Sequence, residues 1–305
     1  MIETEGLTRK FGPITAVEGL TFQVGRGEIF GLLGPNGAGK TTVVRMLSCL
    51  ISKTSGEARV GGLEVGNARD ALAIRKMVGL VPDNVGLYEA LSAYRNLDFY
   101  GKLYDCPGPE RAARIQMLLQ GLGMWAERDR AVQTFSKGMK QKIAIARALV
   151  HDPQVLLLDE PTANLDPEAA RTVRDFILER KKDGKTILLN THNLDEAQRI
   201  CDRIGVLKGH LLGVGTPQEM EGRAGRRQTV IELEQVTPEI RKAIRPLVAS
   251  FREEARRLVV DVADPERENP ALVEAVVRAG GRVLSVTAGG PSLEDTYLDL
   301  VRGSP

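Results

Sequence analysis

Short apolar runs alternate with helical patterns along residues 1–216. The runs at 28–33, 155–158 and 186–189 have the length of strands. The second is continuously apolar, as expected when both faces of a parallel strand are covered. Residues 42–47 follow the first run with helical spacing. This alternation predicts an α/β fold in which helices cover a mostly parallel sheet.

The stretch between the first two runs is mainly helical in pattern over residues 93–149, with breaks near 107–109 and 121–123. We expect it to form a helical subdomain inserted into the sheet domain. The composition then changes at 221–227, a polar segment with glycines that is typical of a linker. We therefore predict two domains, at 1–217 and 218–305.

The second predicted domain combines short strand and helix patterns and carries no residues that indicate catalysis. One helix is predicted to start with Asn269 as its cap and Pro270 as its first residue, and to end at Gly280. Another is predicted after Pro291 and Ser292. The apolar faces of the two helices are Leu272, Val273, Val276 and Val277, and Leu293, Tyr297, Leu300 and Val301. With strands near 230–234, 258–262 and 282–286, this pattern predicts a small α+β domain.

Length, charge and cysteine spacing limit the classes of protein that fit this sequence. At 305 residues the chain has room for about two domains, each with its own core. Lys and Arg number 42 against 40 Asp and Glu, so no strong field indicates a nucleic acid partner. Cys49, Cys106 and Cys201 lack CxxC spacing, which disfavours a zinc cluster or disulfides and fits a reducing cytoplasm. No apolar run approaches the ~18 residues of a membrane span, so another protein would have to hold the chain at a membrane.

Residues 34–41 carry the sequence Gly-Pro-Asn-Gly-Ala-Gly-Lys-Thr between the first predicted strand and helix. Glycines let the backbone wrap closely around phosphate groups, and the helix N-terminus adds positive potential. Lys40 is expected to bridge the β and γ phosphates of ATP, Thr41 to bind Mg²⁺ and Thr42 to reach the α phosphate. A glycine-rich turn without a ligand is the alternative interpretation.

Two carboxylates, Asp159 and Glu160, end the apolar run at 155–158. Charge at the end of a buried strand is costly unless a partner compensates it. Asp159 is expected to hold Mg²⁺ through water, and Glu160 to orient or deprotonate the attacking water. The alternative is an ordinary strand end that meets solvent, which the loop at 34–41 makes less favourable.

Ser136, in the segment Phe-Ser-Lys-Gly-Met-Lys-Gln at 135–141, is predicted to cap a helix whose apolar face continues through Ile143, Ala144 and Ala148. A capped helix explains the segment adequately by itself. The segment also resembles the signature motif of ATP-binding cassette (ABC) proteins, usually Leu-Ser-Gly-Gly-Gln. The resemblance covers residues 1–217, and the tail around 291–298 is similar to the extra domain of drug-resistance exporter ATPases.

The resemblance implies roles for residues whose patterns alone are not decisive. Phe11 matches the aromatic residue that stacks on adenine, although core packing also explains an aromatic there. His192 matches the switch histidine that contacts the γ phosphate. Asp166 is retained from the D-loop motif. Asp83 stands where the Q-loop usually has glutamine, and an ionised carboxylate can bind Mg²⁺ but cannot donate a hydrogen bond.

The motifs and the resemblance together imply one set of site residues. The catalytic residues are Glu160 and His192. The residues that bind ATP are Phe11, Gly34, Asn36, Gly37, Gly39, Lys40, Thr41, Thr42, Ser136 and Gly138, and the Mg²⁺ ligands are Thr41, Asp159 and Asp83. In the family, the phosphate loop of one protomer meets the signature of another, so a homodimer or paired ATPase subunit is implied.

The implied function is that of the ATPase subunit of an ABC exporter, at the cytoplasmic side of the membrane. Residues 87–92 and 137–141 look like the daunorubicin and multidrug resistance subgroup, in which the ATPase and the membrane permease are separate chains. No nucleic acid partner is expected. Two alternatives are a soluble ABC ATPase that acts on nucleic acid or the ribosome, and an importer ATPase, which shares every catalytic residue.

Overall fold

The chain divides into two compact units, Met1–Val214 and Gly215–Pro305. The computed structural model describes residues 1–222, 227–289 and 292–303. The domain boundary expected between residues 217 and 218 stays a prediction from composition.

The apolar runs form central strands of the first unit. Its strands are β1 (Ile2–Phe11), β2 (Ile14–Val24), β3 (Ile29–Leu33), β4 (Ser55–Val60), β5 (Leu63–Glu64), β6 (Val78–Val81), β7 (Val155–Asp159), β8 (Thr186–Thr191), β9 (Arg203–Lys208) and β10 (His210–Gly215). Its helices are α1 (Lys40–Leu47), α2 (Ala71–Met77), α3 (Ala93–Leu103), α4 (Gly108–Gly121), α5 (Lys137–Leu149), α6 (Pro167–Lys182) and α7 (Leu194–Ile200). The runs predicted as strands correspond to β3, β7 and β8, so these predictions are confirmed.

The larger sheet has the strand order β10-β9-β3-β8-β7-β6. Strand β8 pairs in parallel with both β3 and β7, and all three are fully buried. Leu33 lies opposite Thr191, and Asp159 lies opposite Asn190. Because these strands end in register, the loops that follow them meet at one edge of the sheet, where α/β folds bind ligands.

A second sheet, with the order β2-β1-β4-β5, is antiparallel and is a feature that the sequence patterns did not predict. Strand β1 pairs with β2 through several register shifts, so buried and exposed residues do not alternate regularly along it. Ile2 and Leu20 from this sheet share an apolar cluster with Phe30 of β3 and Val43 of α1. The two sheets and the first helix therefore have one common core.

Helices α3, α4 and α5 pack on one another and form the predicted helical subdomain. The Ser136 hydroxyl accepts a hydrogen bond from the Met139 amide at 3.2 Å, which confirms Ser136 as the cap of α5. The expected break near 107–109 is shorter than predicted, because α4 begins at Gly108. Pro109 lies in the first turn of α4, where a missing backbone N–H is tolerated.

The second unit contains an antiparallel sheet with the order β12-β13-β11-β14 and helices beside it. Its elements are α8 (Pro217–Gly222), β11 (Arg227–Leu233), α9 (Pro238–Ile244), β12 (Phe251–Glu254), β13 (Arg257–Val262), α10 (Pro265–Arg278), β14 (Val283–Gly289) and α11 (Leu293–Gly303). Ile231, Leu258, Ile240 and Val276 lie in its core. The predicted small α+β fold is confirmed. Of the predicted linker at 221–227, residues 223–226 lie outside the described residues.

The start predicted for α10 is wrong, because the helix begins at Pro265 and contains Pro270. Asp264 caps it, so an earlier Asp-Pro pair provides the same start signal that the sequence shows at Asn269 and Pro270. Asn269 instead accepts a hydrogen bond from the Thr229 hydroxyl at 2.5 Å. A tertiary contact thus occupies the side chain that sequence reasoning assigned to capping.

Other details of the second unit also differ from the prediction. Val277 was expected on the buried face of its helix but is 55% exposed, whereas Val276 is buried. Neighbouring helical residues point about 100° apart, so the two cannot share a narrow face. Strand β14 begins at Val283, and Pro291 lies outside the described residues. Among the helices that are described, none is long and apolar enough to cross a membrane.

The fold predicts that Gly79 in β6 cannot be replaced without loss of stability. A Cβ at Gly79 would lie 2.2 Å from the carbonyl oxygen of Ala148 and 2.8 Å from Pro153. We expect Gly79→Ala to lower the free energy of unfolding by about 1–3 kcal/mol, because overpacking displaces fixed neighbours. Urea denaturation followed by circular dichroism measures the change. Gly108→Ala is the matched control, since no atom beyond its chain neighbours and the backbone of its own helix lies within 4 Å of its Cβ position. Equal stability of the two variants would contradict the packing argument.

Candidate nucleotide site

Close backbone contacts shape the loop between β3 and α1. A Cβ added to Gly34 would lie 2.3 Å from the carbonyl oxygen of Leu207, so glycine is required there. Gly39, with φ at 100°, precedes the first residue of α1. The Lys40 ammonium donates to the carbonyl oxygens of Gly34 at 2.5 Å and Pro35 at 3.2 Å. The loop therefore places the Lys40 cation beside the N-terminus of α1, whose potential is also positive. Together the two favour an anionic ligand.

Lys40 is the buried cation of the site, with 7% of its surface exposed. Its Nζ lies 3.8 Å from Oε1 of Glu160. Burial lowers the pKa of Lys40, and the charges of Glu160 and Asp159 oppose this effect. An anionic ligand in the loop would give Lys40 a further compensating charge.

Asp159 ends β7 and is 2% exposed. Its Oδ2 accepts a hydrogen bond from the Thr41 hydroxyl at 2.7 Å. Its Oδ1 accepts one from the Asn190 amide at 3.2 Å. These partners compensate a carboxylate that burial alone would destabilise. Two oxygen groups that the sequence assigns to Mg²⁺, on Thr41 and Asp159, are thereby in direct contact.

Glu160 and His192 face each other across the ends of β7 and β8. Oε1 of Glu160 lies 2.9 Å from Nδ1 of His192, and the two side chains are 15% and 57% exposed. Glu160 has a φ of 51°. That left-handed conformation costs a residue other than glycine about 1–2 kcal/mol. Strain of this kind is concentrated at functional sites, and here it turns Glu160 towards His192 while Asp159 contacts Thr41.

A cavity of about 390 Å³ opens at this edge of the sheet. The predicted site residues that line it are Asn36, Gly37, Gly39, Lys40, Thr41, Thr42, Asp83, Asp159, Glu160 and His192. Ala16, Pro35, Ala38, Ala163 and Asn164 complete the lining. Gly34 contributes through its hydrogen bond with Lys40. The fold thus gathers residues from several distant parts of the sequence into one cavity.

Four predicted residues, Phe11, Gly34, Ser136 and Gly138, are not among the described residues that line this cavity, and of these Gly34 contacts the lining residue Lys40. Ser136 is exposed at the start of α5, and Gly138 is buried against Ala169. Phe11 is 45% exposed, and the Arg9 guanidinium lies 4.4 Å from the centre of its ring. The two signature residues therefore lie outside the cavity of their own chain.

Asp83 lies on an exposed loop after β6 and reaches the cavity. Nη1 of Arg147, in α5, donates to the carbonyl oxygens of Val85 at 2.6 Å and Gly86 at 2.9 Å. Burial lowers the pKa of Arg147, and Tyr100 opposes this effect. Arg147 thus ties the Asp83 loop to the helix that begins after Ser136.

Sequence reasoning missed several polar residues around the cavity. Asn190 directly follows the apolar run at 186–189 and still belongs to β8. A polar amide at the end of an apolar run was a signal that could have identified it. Asn164 lines the cavity with a φ of 58°. The Thr162 hydroxyl donates to Oε1 of Glu196 at 2.6 Å. Nothing in the sequence distinguishes Glu196, since glutamate is common in helices.

Comparison with known proteins identifies the family. Residues 17–163 match the family model described as ABC transporter. The chain is 32% identical to the linearmycin resistance ATP-binding protein LnrL of Bacillus subtilis (strain 168), with 98% of each chain covered. It is 39% identical to the Nod factor export ATP-binding protein I of Rhizobium sp. (strain N33), over 98% of this chain and 96% of that protein. The daunorubicin resistance ATP-binding protein DrrA3 of Streptomyces coeruleorubidus is 34% identical, with 98% and 95% covered.

Solved structures agree with this result. An ATP-binding subunit of an ABC transporter superposes with a TM-score of 0.68 at 30% identity, covering 74% of this chain and 93% of that one. The ATP-binding cassette MJ0796, in a dimeric post-hydrolysis state bound to ADP and Pi, gives 0.65 at 26% identity, covering 71% and 98%. The fold class and the resemblance drawn from the signature segment are therefore confirmed. Together, these similarities show that the chain belongs to the ABC transporter family, as an ATP-binding protein that hydrolyses ATP.

Proposed function

We propose that this chain is the motor subunit of an exporter, which dimerises on ATP and drives a separate membrane permease. The main observation in favour of a dimer is the position of Ser136. The cavity gathers Lys40, Asp159 and Glu160, while Ser136 of the same chain lies outside it. A site with the groups for binding and hydrolysis, but without its signature, is completed by a second copy.

Lys40 and the loop at 34–41 bind the phosphates in this proposal. The Lys40 ammonium is already confined beside the carbonyl oxygens of Gly34 and Pro35, so little side-chain freedom is lost when phosphate binds. Thr42 lines the cavity in the first turn of α1 and contacts the α phosphate side. Phe11 stacks on adenine, with Arg9 supporting one face of its ring.

Mg²⁺ fits the oxygen groups on Thr41 and Asp159. This ion usually takes one or two protein oxygens together with phosphate oxygens and water. Within residues 1–222, 227–289 and 292–303, no group of three or more His, Cys, Asp or Glu side chains is arranged to hold a metal. When bound, Mg²⁺ neutralises phosphate charge. Asp83 lines the same cavity and supplies a further carboxylate.

Glu160 and His192 carry the hydrolytic step in this proposal. Glu160 orients the attacking water and accepts its proton, and His192 donates a hydrogen bond to the γ phosphate. Their 2.9 Å contact holds both groups at the cavity before nucleotide arrives. His192 is the more exposed of the two, so it is the residue that turns towards the phosphate.

Export is the direction that we favour. The relatives that match the chain over 98% of its length, including the second unit, are named for export or resistance. An importer ATPase has the same catalytic residues and is the closest alternative. A soluble ATPase acting on nucleic acid or the ribosome gains no support from a formal charge of only +2.

The proposed role of Glu160 predicts a variant that binds but does not turn over. We expect Glu160→Gln to lower kcat about 10²- to 10⁴-fold, the usual contribution of a general base, while ATP binding is retained. Phosphate release measures kcat, and size-exclusion chromatography with ATP should show accumulated dimer. Glu57→Gln, at an exposed position of β4, is the control. Unchanged ATPase activity in Glu160→Gln would exclude this role.

A composite site predicts complementation between two inactive variants. Lys40→Ala should weaken ATP binding, and Ser136→Glu should place a negative charge against the γ phosphate of the other copy. In a mixture, some dimers pair an intact Lys40 with an intact Ser136. We therefore expect ATPase activity above the sum of the separate variants. Activity no greater than that sum, with mixed dimers demonstrated by tagged subunits, would contradict the composite site.

Membrane attachment through a permease predicts peripheral behaviour in the native cell. The tagged chain should sediment with membranes and be released by alkaline washing, whereas the permease remains in the membrane. Purification from mild detergent should retain one multi-span membrane protein, identified by mass spectrometry. Recovery of the chain with ribosomes or nucleic acid would instead favour the soluble alternative.

A further inference from the structure

The segment between β7 and α6 enters the left-handed backbone region at two points. Glu160 has a φ of 51° and Asn164 has a φ of 58°. Asparagine adopts this region readily, so the strain lies at Glu160. Both residues line the cavity, as does Ala163 between them. Strained backbone of this kind persists only where surrounding contacts fix it. The contacts that hold this segment therefore determine where the Glu160 carboxyl lies.

Thr162 lies between Glu160 and Asn164 and makes such a contact. Its hydroxyl donates to Oε1 of Glu196 at 2.6 Å, and Glu196 is 1% exposed. The backbone amide of Glu196 donates to the side chain of Asn193, the cap of α7, at 3.0 Å. The acceptor for Thr162 is thus immobilised both by burial and by the start of a capped helix.

The environment of Glu196 indicates that this bond is not incidental. Burial raises the pKa of Glu196, and the side chains of Thr162, Thr191 and Arg174 oppose this effect. Its other oxygen, Oε2, is buried without a hydrogen-bond partner in the described part of the chain. A carboxyl in such a place is costly, and the hydrogen bond that Thr162 donates to Oε1 compensates part of that cost. Loss of the bond would affect both partners.

Two side-chain bridges join the segments that follow β7 and β8. One connects Glu160 to His192, whose side chain is 57% exposed. The other connects Thr162 to Glu196 and is buried at Glu196. In the proposed function, His192 leaves Glu160 to meet the γ phosphate. The Thr162 bridge involves neither group, so their separation does not require it to break.

We propose that Glu196, acting through Thr162, is a positioning residue that keeps the Glu160 carboxyl oriented towards water while His192 engages the nucleotide. This inference rests on the proposed roles of Glu160 and His192. It predicts that loss of the bridge impairs the hydrolytic step and leaves ATP binding intact.

Substitutions at Thr162 test the bridge directly. Thr162→Val keeps the shape of the side chain but removes the donor, and we expect kcat to fall about 10- to 100-fold through misplacement of Glu160. The KM for ATP and the nucleotide affinity should not change. Thr162→Ser restores the hydroxyl and should restore kcat. Thr172→Val, which removes an exposed hydroxyl bonded to its own helix at 3.0 Å, is the matched control.

Substitutions at Glu196 test the acceptor. Glu196→Gln retains an acceptor oxygen and should remain close to wild type, whereas Glu196→Leu should lower kcat as Thr162→Val does. The double variant, Thr162→Val with Glu196→Leu, should be no worse than Glu196→Leu alone, because the bond from Thr162 is already absent in that variant. Thermal melting and nucleotide affinity show whether each variant is still folded and still binds nucleotide. They therefore distinguish misplacement of Glu160 from unfolding. Additive losses in kcat would overturn the inference.

The outcomes distinguish this inference from the proposed function. If Glu160→Gln retains turnover, the role of Glu160 itself is excluded. If Glu160→Gln is inactive but Thr162→Val has the kcat of the wild type, the positioning role alone is excluded. If Thr162→Val raises the KM as much as it lowers kcat, the bridge supports nucleotide binding and the inference is also overturned.

Discussion

A buried cation and buried carboxylates compensate one another at the edge of the central sheet, and the site depends on this interaction. Lys40 faces Glu160, and Asp159 is held by Thr41 and Asn190. An isolated buried charge costs several kcal/mol, so each of these groups needs the others. They meet only because β3, β7 and β8 run parallel and end in register. The backbone of the sheet thus determines which charges share the cavity.

Features that depend on local sequence were predictable. The phosphate loop combines close backbone contacts with a helix start, and both requirements lie within residues 34–41. Ser136 caps α5 as expected, because capping involves an amide only three residues away. The buried strands β7 and β8 follow from the short apolar runs at 155–158 and 186–189. The family resemblance then supplied the order in which the other site residues occur.

Features that depend on long-range contacts were not predictable. The antiparallel sheet escapes a simple pattern because β1 shifts register against its neighbour. Asn269 has the sequence context of a cap but bonds Thr229 in another element. The Thr162 and Glu196 pair joins residues 34 positions apart, and neither is unusual in its own segment. Sequence identifies the groups that perform chemistry more readily than those that hold them in place.

The separation of Ser136 from the cavity of its own chain has a consequence for regulation. In the proposed dimer, hydrolysis at low concentration depends on encounters between two copies. Free chains at low concentration therefore consume little ATP. Attachment of two copies to one permease would hold them close together. They would then associate as if in one molecule, at a high effective concentration. Assembly on the membrane would then itself activate the ATPase and restrict ATP consumption to complexes that can transport.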